Sequence, residues 1–211
     1  MNRRDLLKQI ALVTGAVVVG GDFFLTGCKV GPKPDAGFSP STIALLDEVG
    51  ETIIPATITP GAKAAKIGEF MKVIVTDCYT ERQQNTFMQG LTELDAAADQ
   101  MHGKSFMSCD AAQRKELLLS LEKEAKAFNQ KRDEEDKPRK EAHDQKNSTL
   151  PWKDQTEFEG TPSHYYTMMK QLTLWGFFSS ETGMTETLRY VAVPGRYDGA
   201  VPYTKGEKAW A

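Results

Sequence analysis

Cysteine is scarce: three residues in a chain of 211. That is too few for a disulfide framework, and none falls in a CxxC or Cys/His spacing that would bind zinc or attach haem. Histidine is equally rare, and His102, His143 and His164 stand far apart, with no HExxH pair and no nucleophile elbow near any of them. No GxGxxG follows a strand pattern and no P-loop occurs, so the chain lacks nucleotide and flavin signals of its own. Charge of one sign is missing as well. The 26 Lys and Arg face 29 Asp and Glu, and a net charge of -3 gives no reason to expect nucleic acid or an anionic membrane surface as partner. The richest apolar stretch of the mature chain, residues 161–180, carries Lys170 and Gln171 in its middle, which argues against a membrane span. These absences leave no catalytic, cofactor or metal site to name on this chain.

What is present starts with an address. Asn2-Arg3-Arg4-Asp5-Leu6-Leu7-Lys8 precedes a moderately apolar run from Ile10 to Gly21, the layout of a bacterial export signal. Arg3 and Arg4 resemble the twin-arginine pair of the pathway that carries folded proteins, although Asn2 and Leu6 stand where Ser or Thr and Phe are usual. Leu25-Thr26-Gly27-Cys28 looks like a lipobox, whose cysteine takes a diacylglycerol and becomes the new N-terminus. Buried methylenes contribute about 0.8 kcal/mol each, so two or three acyl chains hold a protein on a membrane without a spanning helix. The alternative is an ordinary N-terminal membrane anchor with an incidental cysteine. The expected organisation is a signal peptide over 1–27, a Gly/Pro-rich tether over 28–38 and a folded domain over 39–211, lipid-anchored on the periplasmic side of a bacterial membrane.

With 40% hydrophobic residues the mature chain can bury a real core, and its pattern predicts an all-α fold, a compact bundle of about six helices with an extended, ordered C-terminal tail. Ser39-Pro40-Ser41 opens a helix that Pro55 closes; a second runs from about Ala62 to Tyr79. Thr80 caps a third with Gln83 or Gln84 in its first turn, burying Phe87, Leu91, Leu94 and Ala98. Asp110 caps a fourth, with Leu117, Leu118, Leu121 and Phe128 on its face. Residues 129–149 are almost wholly charged or polar, and Pro138 is expected to interrupt any helix there, so the stretch reads as a solvated excursion. Thr161 and Pro162 then start a central helix, apolar almost all round, through Tyr165, Met168, Met169, Leu172 and Trp175 to about Ser180. A short helix ends near Tyr190. The tail holds Tyr197, Val201, Tyr203 and Trp210, and such residues must lie on the helical body or on a second protein.

Cys78 and Cys109 remain once Cys28 is set aside, and in an oxidising compartment they invite a disulfide; equally, both suit small buried hydrophobes on separate helices. His164, near the start of the central helix, is the best catalytic candidate, yet capping or an interface suits it better. A weaker enzyme reading would join it to Glu181 or Tyr190.

Two blocks carry a family resemblance: Glu51 to Ala65, ETIIPATITPGAKAA, and Met169 to Glu181 with Tyr190, Pro194-Gly195-Arg196-Tyr197-Asp198-Gly199 and Pro202-Tyr203. Together with the twin-arginine signal they resemble the gluconate 2-dehydrogenase subunit 3 family, in which Asp often stands at the position of Ile58. The resemblance implies a non-catalytic small subunit of a membrane-bound sugar dehydrogenase. Its partner would be a larger glucose-methanol-choline-type flavoprotein that holds FAD, with a cytochrome c as possible electron acceptor. The small subunit would carry that flavoprotein, already folded, through twin-arginine export, stabilise it, and hold it by its lipid. The partner interface is expected at Tyr165, Trp175, Phe178, Glu181, Tyr190, Pro194, Tyr197, Tyr203 and Trp210. The alternative is a stand-alone periplasmic lipoprotein that binds a ligand or an envelope component.

Overall fold

A run of strong cap signals fixes the start of most helices in the computed structural model, which describes residues 37–193, 195, 199–202 and 204–210. Helix α1 (Pro40–Ile53) begins where the Ser39 hydroxyl accepts the Thr42 N–H at 3.2 Å and Pro40 takes the first position, where no N–H is needed. It buries Leu45, Leu46, Val49 and Gly50. The second segment is not one helix as expected. A 3-10 turn (Ala62–Ala65) stops at Lys66, whose φ of 53° is left-handed, and α2 (Ile67–Cys78) restarts beyond it. Helix α3 (Glu81–His102) opens on a capping box: the Thr80 hydroxyl accepts the Gln83 N–H while the Gln83 side chain accepts the Thr80 N–H. It ends at Gly103, whose left-handed φ of 68° favours glycine.

Helix α4 (Ala111–Ser148) is opened by the predicted Asp110 cap, made with Gln113, but its length overturns the expected excursion. The helix does not stop near Phe128; it continues through Pro138 for a total of 38 residues. A proline removes one hydrogen bond, and in an exposed helix water can take the freed carbonyl. Lys, Arg, Glu, Gln and Ala on either side are good helix formers. Arg139 pairs with Asp136 at 2.6 Å and Lys131 with Glu135 at 3.8 Å along the same surface. The expected solvation holds, since nearly all of this half is exposed.

Residues 149–164 return along α4 in extended form and are fastened to it. Asn147 and Thr156 exchange a side-chain-to-carbonyl and an N–H-to-side-chain bond at 2.8 and 3.0 Å, and Asp136 accepts the Thr161 N–H at 2.6 Å. Phe158 lies against His143 and under the Arg139 guanidinium.

The central helix is α5 (Tyr165–Ser179), and it packs against α1, α2, α3 and α4 alike. Its expected start is corrected: Thr161 is no N-cap, because its N–H and hydroxyl both bond Asp136, and Pro162 lies before the helix. The cap is His164, whose Nδ1 accepts the Tyr166 N–H at 3.2 Å. Met168, Met169, Leu172, Thr173, Gly176 and Phe177 are buried, with the Thr173 hydroxyl satisfied by the Met169 carbonyl at 2.8 Å. Helix α3 crosses closely: a Cβ at Gly90 would fall inside the Tyr165 side chain.

Beyond α5 a π-turn (Gly183–Thr187) replaces the short α-helix expected there. The chain end then folds back, because Arg189 forms an isolated parallel bridge with Trp210, its N–H bonding the Ala209 carbonyl at 2.8 Å. Arg189 also lies 4.7 Å from the Trp210 ring centroid and pairs with Glu207 at 3.3 Å, while Lys208 bonds the Glu186 carbonyl. The fold is all-α, with no strand among the described residues. No described helix is long and apolar enough to cross a membrane.

Candidate functional site

Part of the apolar surface left outside the core lies where α5 ends. The last turns of α5 meet the first turns of α2 there: Gly176 lies against the Phe70 ring, and Trp175 meets Phe70 edge-on with centroids 5.4 Å apart. The 3-10 turn at Ala62–Ala65 packs on α5 as well. On the outward side of α5, Leu174, Trp175 and Phe178 are one turn apart and exposed, Trp175 by 56%. The chain that follows adds exposed Tyr190, Val191 and Val193.

The loop between α1 and the 3-10 turn is built around one carboxylate. Glu51 accepts the Ala56 N–H at 2.8 Å through one oxygen and the Lys63 N–H at 2.9 Å through the other. The Thr57 N–H bonds the Thr59 carbonyl at 2.9 Å, and Ile58, between them, is fully exposed. An isoleucine with no intramolecular contact to gain, held on a loop with little freedom, is suited to a partner's pocket. The two Glu51 bonds hold the loop of the first motif block, Glu51 to Ala65, in one shape.

Of the expected interface residues, Trp175, Phe178, Glu181, Tyr190 and Trp210 are exposed. Tyr165 is corrected: at 5% exposure it is a core residue, wedged on Gly90 and stacked on His164 with centroids 4.4 Å apart. Burial pushes its phenol well above the ordinary tyrosine value, with Glu124 and Glu93 adding to the effect. Pro194, Tyr197 and Tyr203 lie outside the described residues, as do Arg3, Arg4 and Cys28. Leu174, Ile58 and Val193 are exposed as well; an aliphatic side chain in a sequence counts toward the core, and only the fold shows it left out.

His164 is a structural residue. Its ring is 8% exposed, caps α5 through Nδ1, stands 3.9 Å from Glu124 through Nε2 and takes the Phe128 ring edge-to-face at 5.5 Å. Burial holds its imidazole below the ordinary value, against the pull of Glu124 and Glu93. Glu181 follows the other end of α5, on the order of 25 Å away at 1.5 Å per residue, so no dyad with His164 forms. Cys78 is exposed and Cys109 buried, and both thiols are free, so the possible Cys78–Cys109 disulfide is not made. Among the described residues no group of three or more His, Cys, Asp or Glu is placed to hold a metal ion.

Fold and surface define an all-α module with helix caps made by side chains and with exposed aromatic residues at the end of α5, at the tip of the α4 extension and in the chain that follows. The chain belongs to the gluconate 2-dehydrogenase subunit 3 family, whose pattern matches residues 40–195. The match spans all five helices and both motif blocks as far as Gly195. No curated protein and no solved structure matches the chain. The family is that of a subunit of a dehydrogenase complex, and this chain is one of its members.

Proposed function

We propose that the chain is the non-catalytic small subunit of a periplasmic, membrane-bound, FAD-dependent sugar dehydrogenase of the gluconate, glucose or glucoside type. Membership of the family over residues 40–195 is the observation that carries this reading. Exposed Ile58, Leu174, Trp175 and Phe178 support it, because a subunit needs apolar surface that its own core does not use. The partner is a larger flavoprotein of the glucose-methanol-choline type, which holds the FAD and oxidises an alcohol carbon; a cytochrome c takes the electrons. In this reading Arg3 and Arg4 direct both subunits through twin-arginine export, and lipid on Cys28 keeps the complex at the membrane.

The test is purification of a C-terminally tagged copy from its native envelope in mild detergent, followed by an absorption spectrum and a gel. A yellow preparation with flavin bands and one larger stoichiometric protein is the expected result. A colourless, monodisperse single band would replace this reading with a stand-alone lipoprotein.

A further inference from the structure

The second half of α4 makes no contribution to the bundle core, yet it is built with care. Past Asn129, whose side chain bonds Thr167 at 2.8 Å and the His164 N–H at 3.0 Å, the helix runs on to Ser148, roughly 28 Å at 1.5 Å per residue. The return segment is tied to it at three levels, by Asp136 with Thr161, by Arg139 and His143 with Phe158, and by Asn147 with Thr156. The result is a two-layered arm rather than a loop. At its tip Leu150, Pro151 and Trp152 are all exposed, Trp152 by 86%. The tip is itself fixed: a 3-10 turn closes with the Asp154 N–H on the Pro151 carbonyl at 2.8 Å, and the Gln155 side chain bonds the Leu150 carbonyl at 3.1 Å.

We propose that this arm is a second grip on the large catalytic subunit, with Trp152 as the anchor that enters a pocket on it. The inference rests on the subunit reading above and places a contact remote from the Trp175 end. Three observations favour a protein as occupant. A tryptophan on a pre-fixed turn loses little freedom on docking and is the residue type most enriched among interface anchors. Its rim carries both signs in balance, Lys146 and Lys153 against Asp144 and Asp154, as the polar rim of a protein interface does; an anionic bilayer would call for a surplus of cations. Among the described residues the ties that fix the arm run to its own return segment, and they leave Trp152 86% exposed at its tip.

The experiment uses the full chain, tagged and co-produced with its flavoprotein, and follows release of the flavoprotein from immobilised complex by flavin absorbance. Trp152→Ala is expected to shorten the release half-time at least ~10-fold and Trp152→Phe to restore part of it, with the thermal midpoint of the small subunit unchanged because the side chain is exposed. An unchanged half-time for Trp152→Ala, beside a wild-type complex that holds, overturns the arm proposal alone. Unchanged release accompanied by loss of binding to phosphatidylglycerol vesicles, or by a dimer of this chain that falls apart, overturns it in favour of a bilayer or a second copy. A wild-type chain that retains no flavoprotein overturns the arm proposal together with the subunit reading beneath it.

Discussion

Arg114 joins three elements through one guanidinium. It bonds Glu48 of α1 at 2.5 Å, the Phe106 carbonyl at 3.1 Å and the Met107 carbonyl at 2.8 Å, and lies over the Phe106 ring. Glu48 is shared with Lys63, and the Lys63 ammonium, then Arg114, hold its carboxyl below the usual range against the effect of burial. The two cations are not equivalent, because the Arg114 side chain is 14% exposed and Lys63 58%. Arg114→Ala leaves Glu48 with Lys63 alone and frees the part-buried Phe106 carbonyl, and is expected to cost about 1–3 kcal/mol in urea unfolding. Lys63→Ala should cost no more than about 1 kcal/mol. Equal costs would show that the pair does not depend on burial. His164 supplies a pH-dependent counterpart. Its imidazole is held below the ordinary value, so as pH falls through about 6.5 the unfolded chain takes up a proton before the folded one, and stability declines until the folded group protonates as well. His164→Asn keeps a side-chain acceptor at the cap, and should flatten the thermal midpoint between pH 7.5 and 5.5; an unaltered slope would remove His164 as its source.

At the scale of elements the sequence was most readable where a side chain acts locally. Ser39, Thr80 with Gln83, and Asp110 with Gln113 announce helix starts because the cap and the N–H it satisfies are three residues apart. His164 and Thr161 were harder to read, since the bonds that decide between them come from Asn129 and Asp136 of another helix. The burial of Tyr165 was hidden for a related reason: a helix apolar all round does not say which face meets Gly90 and which meets a partner. Pro138 costs about 3 kcal/mol in a helix interior, and the fastened return segment and the flanking helix formers oppose that cost. Pro138→Ala should therefore slow amide exchange across residues 134–142 and reduce proteolytic nicking there. The global unfolding midpoint should hardly move, because the arm lies outside the core. A large rise in the global midpoint would mean that arm and bundle unfold as one unit.

For the whole molecule, the family pattern and the all-α bundle agree, and the question passes from fold to transport. A flavoprotein that folds around FAD in the cytoplasm needs a route that accepts folded cargo, and this chain carries the paired arginines within a few residues of its start. If the two subunits leave together, the signal on one serves both. Replacing Arg3 and Arg4 by Lys together should leave the small subunit and the flavoprotein in the cytoplasm, with dye-linked dehydrogenase activity retained there because the folded complex has already formed. On the proposed reading Cys28→Ser separates export from anchoring: the complex should reach the periplasm and appear in the soluble fraction with its activity intact, because an acyl anchor would supply membrane affinity alone. Normal export of the flavoprotein beside a retained small subunit would remove the escort role while leaving the subunit role standing. Loss of activity in the Cys28→Ser extract would assign the acyl chains a part in placing the complex against its electron acceptor.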